Sequence, residues 1–249
     1  MCGRFVTASS PQLLVDRFGV DDDQVGEREP DYNVTPRAIV PVVRERLPSR
    51  REGVEVDRTD TTRVLSPLRW GLVPSWADGP AIGDRTINAR AETVATTNSY
   101  KSAFRKRRCI VPADAFYEWL KIDNGTKKPT RQPWVVRRRD GEPLAFAGLW
   151  EIWRDEAIED RDDPDAWLRT FTIITTRAND LLARVHDRMP VVLDDANWDT
   201  WLDPAFDDVA ALQGMLTTAP VEWFETYEVS PRVNSPQHND FGLLDRLPA

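Results

Sequence analysis

The sequence predicts an α+β fold, one domain over 1–249 built on a curved, barrel-like, mostly antiparallel β-sheet with flanking helices. Three observations carry this. Short apolar runs outnumber helical repeats; the runs follow one another without the regular strand-helix-strand alternation of a parallel sheet; and no linker or shift in composition divides the chain. With 249 residues, 41% of them apolar, the chain is long enough to fill one large core.

The elements follow in order. Ser10 before Pro11 starts a helix, Leu13, Leu14 and Phe18 lie on one face, and Gly19 stops it. After a short acidic loop, 39–43 and 68–73 read as strands, joined by a polar, arginine-rich exposed hairpin. A helical pattern over 98–108 gives way to a buried strand at 109–111, which Pro112 is expected to end. Further strands read at 134–136, 144–153 and 170–175, with an acidic insert at 155–165 expected to be a mobile loop. Segments 180–185, 197–202 and 207–216 read as short helices, and 221–229 alternates as a last strand.

Composition narrows the function. The chain carries 33 basic and 41 acidic residues, a formal charge of −8, and its basic residues are nearly all arginine. An acidic, lysine-poor surface suits a protein kept soluble in concentrated salt, so a halophilic host is expected. Net negative charge disfavours nucleic acid in general. Yet Lys101, Arg105, Lys106, Arg107 and Arg108 cluster, as do Arg137, Arg138 and Arg139, either as solvated faces or as a local groove. In high salt such a groove depends less on counterion release and more on stacking and hydrogen bonds. No stretch reaches the apolar length of a membrane span and the start lacks a signal-peptide pattern, so a cytoplasmic protein is expected, and nothing demands more than a monomer. Two distant cysteines fit a reducing compartment, although a Cys2–Cys109 bridge stays open; Cys109, beside Ile110 and Val111, reads as a packing residue. The two histidines and two cysteines lack zinc-site spacing and no phosphate-binding glycine loop is present, so neither metal nor cofactor is expected.

The chemistry starts at Met1-Cys2-Gly3-Arg4. A small second residue normally lets the initiator methionine be removed, which leaves a thiol and an α-amine on one carbon. An α-amine titrates near ~7.7–8.0 against ~10.4 for lysine, so at neutral pH far more of it is nucleophilic. Such a pair attacks an aldehyde twice: the amine gives an imine, and the thiolate closes on it to a five-membered thiazolidine. On position alone, a second-place cysteine is as easily an accident of a frayed end.

Three more segments set polar groups among rigid apolar ones: Asn88-Ala89-Arg90-Ala91-Glu92-Thr93, Phe116-Tyr117-Glu118-Trp119 and His186-Asp187-Arg188-Met189-Pro190. Singly each has an ordinary reading. Asn88 suits a turn, Arg90 and Glu92 a surface ion pair, Glu118 a solvent-facing strand position, and His186 the C-terminal cap of a short helix. Packed among Phe116, Tyr117 and Trp119, however, Glu118 is expected to titrate high, near neutrality, where His186 also titrates.

Together these segments resemble the SRAP family, the SOS-response-associated peptidases, also described as abasic-site processing proteins. The resemblance covers most of the chain. It runs through the Met-Cys-Gly-Arg start, Tyr32-Asn33-Val34 with Pro36, Trp70-Gly71 through Pro74 and Trp76, Asn88-Ala89-Arg90 with Glu92-Thr93, and Arg108-Cys109 through Pro112-Ala113-Asp114 to Trp119. It continues in Phe146-Ala147-Gly148-Leu149-Trp150 and from Ile174 to Pro190. Ala115, where the family commonly has glycine, and the acidic insert are departures that remove no reactive group.

The resemblance implies a sensor of abasic sites in single-stranded DNA that traps the ring-opened deoxyribose covalently through mature Cys2. By analogy Asn88 holds the terminal cysteine or the sugar, Glu118 shuttles protons and His186 assists sugar ring opening. Arg4, Arg90 and Arg188 are candidates for phosphate contacts, and Pro36 and Trp76 for wedging or stacking where the base is missing, with Trp76 equally readable as core. An imine at C1′ acidifies the C2′ protons, so β-elimination is an expected side activity. Other readings compete: an N-terminal-nucleophile glutamine amidotransferase, which leaves Glu118 and His186 without a role; a peptidase, limited to removing Met1 or broader; and a non-covalent single-strand binding module.

Overall fold

The computed structural model describes residues 2–47, 61–125 and 130–248. Its strands are β1 (Phe5–Thr7), β2 (Asp22–Asp23), β3 (Asp31–Val34), β4 (Ile39–Arg46), β5 (Thr62–Trp70), β6 (Asn88–Arg90), β7 (Arg108–Ala113), β8 (Ala115–Ile122), β9 (Thr130–Arg138), β10 (Leu144–Arg154), β11 (Trp167–Arg177), β12 (Arg188–Pro190) and β13 (Phe224–Glu228). Among the described residues four α-helices accompany them: α1 (Pro11–Phe18), α2 (Lys101–Lys106), α3 (Trp198–Leu202) and α4 (Val209–Gly214).

Alternating side chains along five long strands close a barrel in the order β11-β10-β7-β4-β5 and back to β11. Four of the five contacts are antiparallel. The fifth, β5 to β11, is parallel, with Arg69 opposite Thr170 and Trp70 opposite Phe171. Parity requires this, because strands that alternate direction around an odd-numbered ring must meet once with the same sense. Val42, Leu68, Trp70, Cys109, Val111, Phe146, Phe171 and Ile173 fill one core. The intervening residues Val43, Leu65, Ile110, Ala147, Leu149 and Ile174 pack under the helices in a second. Gly148 permits the close approach inside: a Cβ there would lie 2.9 Å from the Cys109 sulfur and 3.0 Å from the Thr172 carbonyl. Cys109 is a buried free thiol, as its neighbours predict, and Cys2 is free as well, so the two form no bridge.

A second, antiparallel sheet runs β13-β9-β8-β1-β3. The chain crosses from barrel to sheet between β7 and β8, at Asp114, whose carboxylate accepts from the backbone N–H groups of Ala8 (2.5 Å) and Ser9 (2.9 Å). One face of this sheet, with Phe5, Phe116, Val136 and Phe224, joins the core that fills the barrel. The other, with Val6, Ala115, Tyr117, Val135 and Tyr227, packs against Val229, Val233 and Leu243 of the C-terminal segment. Ala115 thus sits in a regular strand, opposite Val6.

Several sequence expectations change. α1 begins and ends as expected, with Ser10 accepting from the Leu13 N–H and Gly19 at φ 63°. Within 98–108 only α2 is α-helical, and Arg108 already belongs to β7. Pro112 does not end that strand: it pairs with Ala145, and the ladder to β4 is confined to Val43 and Arg44, so the side facing β4 has no bond to lose. β5 starts before 68 and stops at Trp70. The tip of the arginine-rich hairpin, 48–60, lies outside the described residues. The ends of the acidic insert meet, the Asp155 N–H donating to the Ala166 carbonyl at 2.8 Å. Segment 180–185 forms consecutive turns rather than a helix, headed by Asn179, whose side chain accepts from the Leu182 N–H (3.1 Å) and donates to the Ala219 carbonyl (3.0 Å). α4 is shorter than 207–216, and 221–223 is a 3-10 turn ahead of β13.

The basic clusters divide: Arg108 is buried, Arg107 and Arg138 are partly buried, and Lys101, Arg105, Lys106, Arg137 and Arg139 are exposed. The buried Arg108 guanidinium donates to the carbonyls of Trp201 (2.6 Å), Phe104 (2.9 Å), Arg105 (2.6 Å), Phe206 (2.8 Å) and Asp203, tying α2 and β7 to α3. Arg107 pairs with Glu151, Arg137 with Glu225 and Arg138 with Asp140. No helix among the described residues is long and apolar enough to cross a membrane.

Candidate functional site

Register brings the N-terminus to Glu118. Phe5 lies opposite Phe116 and Val6 opposite Ala115, and the Tyr117 N–H donates to the Arg4 carbonyl at 3.0 Å. Continued toward the terminus, that pairing sets Gly3 opposite Glu118. Alternation along β8 turns Tyr117 to the C-terminal layer and Phe116 and Glu118 to the face where Cys2 is buried. Glu118 is 2% exposed and therefore not the solvent-facing residue that a surface strand would present.

The third contributor is β6. It lies parallel to β11, Asn88 opposite Ile173 and Arg90 opposite Thr175, extending the surface begun by β5. From there the Asn88 side-chain amide donates to the Cys2 carbonyl at 2.7 Å, and the Tyr100 hydroxyl donates to the Asn88 carbonyl at 3.2 Å. Asn88 is thus a strand residue with a long-range partner, not a turn residue.

The fourth is the connection between β11 and β12. Its ends close through the Ala178 N–H on the Asp187 carbonyl at 3.0 Å, and His186 follows the turns just before β12. His186 caps no helix. Its Nδ1 lies 3.0 Å from the Arg188 N–H and 3.0 Å from Asp187 Oδ1. The N–H calls for an accepting Nδ1, with the proton of the neutral ring on Nε2, whereas the carboxylate calls for a protonated Nδ1.

Burial controls the electrostatics. It raises the Glu118 carboxyl to about 7, an effect opposed by the positive amino terminus and reinforced by Asp187. It also pushes the Cys2 thiol up, with the Glu118 charge adding to the shift and the amino terminus opposing it. His186 is held below its ordinary value by burial first and by the amino terminus second, against the pull of Asp187. These couplings tie Cys2, Glu118, His186 and the amino terminus into one electrostatic unit. Among the described residues no group of three or more His, Cys, Asp or Glu is placed to hold a metal ion.

The expected phosphate ligands divide. Arg90 is exposed at the end of β6. Arg4 is half-buried, its Nη1 donating to Asn33 Oδ1 (2.5 Å) and the Val233 carbonyl (2.9 Å). Arg188 is held by Glu92 through two hydrogen bonds, 2.6 and 3.0 Å, and by the Thr175 carbonyl at 2.5 Å. The hydrogen-bonded partner of Glu92 is therefore Arg188, not the Arg90 that sequence proximity suggests. Pro36 is partly exposed, ahead of Arg37 at φ 75°. Trp76 is 59% exposed, which removes the core reading, and lines a cleft of about 450 Å³ with Pro74, Asn98, Ser99, Lys101 and Glu151. Sequence reasoning missed Tyr100 and Thr175, whose local patterns mark them only as helix-edge and strand residues.

Known proteins match this chain over nearly its whole length. The chain is 38% identical over 247 residues to abasic site processing protein YoqW of Bacillus subtilis (strain 168), covering 98% of this chain and 99% of the relative. It is 30% identical over 274 residues to abasic site processing protein HMCES of Mus musculus, covering 96% and 74%. A crystal structure of a Bacteroides thetaiotaomicron protein superposes with a TM-score of 0.80 at 23% identity over 99% of this chain and all of that one, a likeness of fold. A phage-related protein of Bordetella bronchiseptica gives 0.63 at 30% identity over 92% and 94%. The model of the SOS response associated peptidase (SRAP) family matches residues 1–236, and the chain belongs to that family.

Proposed function

We propose that this protein processes abasic sites in single-stranded DNA by linking itself covalently to the ring-opened deoxyribose through Cys2. One observation carries the reading: Asn88, Glu118 and His186, from three different parts of the chain, converge on the N-terminal segment. An ordinary terminus has no use for a buried carboxyl titrating near neutrality beside it.

The reaction needs Met1 removed, so that the α-amine belongs to Cys2. The Nε2–H of His186 hydrogen-bonds the sugar ring oxygen as the C1′–O4′ bond breaks; the C1′ hydroxyl gives up its proton through water, the ring oxygen gains one in return, and C1′ becomes an aldehyde. The Cys2 amine adds to C1′, and the carbinolamine loses water to give an imine. Glu118 takes the proton from the attacking amine and returns it to the leaving hydroxyl, a double duty that suits a carboxyl poised near 7. The thiol then adds to the imine carbon, its proton passing to nitrogen, and a thiazolidine closes; the net change is loss of one water. Asn88 fixes the Cys2 carbonyl so that amine and sulfur face the same carbon. Arg90 offers an exposed guanidinium for a backbone phosphate, Arg4 and Arg188 are further phosphate ligands in this reading, and Pro36 and Trp76 wedge or stack against the strand.

The imine also permits β-elimination if C2′ loses a proton before sulfur closes the ring, so slow lyase activity accompanies crosslinking. Peptidase activity is confined to release of Met1. The protein acts as a monomer in the cytoplasm, and its acidic surface fits a salt-rich one. A crosslinking time course against an oligonucleotide with one abasic site, in single-stranded and duplex form, tests this reading. Crosslinks confined to single strands are expected; hydrolysis of glutamine or peptides without crosslinks would replace it.

A further inference from the structure

β12 is three residues long and pairs with β11, and the residues after it are fastened by backbone hydrogen bonds of Val191 and Leu193 to β10 and β11. Its first residue, Arg188, lies at the other end, next to the turn that carries His186, where the backbone closure is the Ala178 N–H on the Asp187 carbonyl. Glu92 adds a side-chain anchor at that end. Two residues beyond β6, it accepts from both Nη atoms of Arg188, a bidentate pair in which the arginine side chain is 15% exposed. Arg188 Nη2 also reaches back to the Thr175 carbonyl on β11. β6 and β12 flank the same end of β11, Arg90 and Pro190 both lying opposite Thr175. The Glu92–Arg188 pair therefore crosses β11 and fastens its two neighbours, one carrying Asn88 and the other joined to His186.

Two groups compete for one ring nitrogen. The Arg188 N–H and the Asp187 carboxylate both lie 3.0 Å from Nδ1 of His186. An N–H there demands an unprotonated Nδ1; a carboxylate demands a protonated one. Asp187 is exposed and finds hydrogen bonds in water, so the Arg188 N–H wins only while β12 is held in place. We infer that Glu92 is a positioning residue of this site: through Arg188 it keeps the N–H on Nδ1 and so keeps the proton of neutral His186 on Nε2, the nitrogen that the proposed function turns to the sugar. The inference rests on the proposed role of His186, and its primary readout does not require that role.

The charges that act on this ring are the amino terminus and Lys121, which oppose its protonation, and Asp187, which favours it. Losing the Arg188 N–H leaves Asp187 as the nearer partner.

This chain has two histidines, so long-range proton–nitrogen NMR resolves the tautomer of each, with His238→Gln assigning the other. In the native protein at neutral pH, His186 is expected to show a bare Nδ1 and a protonated Nε2. Glu92→Gln is expected to move the ring toward the Nδ1-protonated forms and raise its titration midpoint. Crosslinking should slow about tenfold, while non-covalent affinity for single-stranded DNA holds or tightens. Glu92→Asp, which keeps the charge, is expected to stay near the native protein in all three. An unchanged ring state in Glu92→Gln overturns the inference, as does loss of DNA affinity in step with rate. If the native protein forms no crosslink, the functional reading fails, and the nitrogen shifts still decide what Glu92 does.

Discussion

The Asn88 side chain holds the Cys2 carbonyl at 2.7 Å across 86 positions of sequence, so the second residue of the chain is anchored by β6, a strand that pairs with β11 of the barrel. That hydrogen bond separates a positioned nucleophile from a loose end. Asn88→Ala is expected to cost about 1 kcal/mol of stability but to slow crosslinking ten- to a hundredfold, since the reacting pair loses its orientation. Paired denaturation and crosslinking time courses check this.

Glu118 makes stability depend on pH in a definite direction. Its carboxyl titrates at 4.5 in the unfolded chain and about 7 in the folded one, so between those values the native state holds the extra proton. Stability from this group is therefore lost as pH rises from 4.5 to 7 and then levels off. Glu118→Gln is expected to be more stable than the native protein at pH 8, by on the order of 3 kcal/mol, and equal to it near pH 4. Urea titrations at both values measure the difference; a variant equally or less stable at pH 8 contradicts the burial argument.

Trp70 and Trp76 lie six positions apart with opposite fates. Trp70 is fully buried beside Phe5 and Phe171, and Trp70→Ala is expected to cost about 3–5 kcal/mol. Trp76→Ala is expected to stay within about 0.5 kcal/mol of the native protein yet weaken single-strand binding, measured by fluorescence anisotropy, by the ~1–3 kcal/mol of a lost stacking platform.

How much of this the sequence reveals depends on the range of the interactions. α1 is legible because its signals are local: a serine cap, a proline at the first turn and a glycine stop. β10 and β11 are legible because they are long and apolar. β1 and β3 are three and four residues long and exist because β8 and the C-terminal segment complete them, so no local pattern announces them. The closing β5–β11 contact, which makes the sheet a barrel, joins strands about a hundred residues apart. At the site, the reactive types at Cys2, Asn88, Glu118 and His186 can be read from sequence, and the resemblance groups them. The partners of the arginines cannot: Glu92 with Arg188, and Asn33 with Arg4, are set by tertiary neighbours.

Arg108 is the test of a cation that looks like surface charge in sequence. Five carbonyls surround its guanidinium, and Arg108→Met leaves them facing an apolar side chain. A loss of at least about 3 kcal/mol is expected, against about 0.5 kcal/mol or less for Arg90→Ala, with thermal melts to compare them.

The most direct test of the account is the intact mass of the protein after mixing with a single-stranded oligonucleotide that carries one abasic site. The expected product survives denaturation and weighs the chain without Met1 plus the oligonucleotide minus one water, and it is absent with Cys2→Ala. A folded, Met1-processed protein that forms no such product across a range of salt, or a product that persists in Cys2→Ala, contradicts Cys2 as the nucleophile.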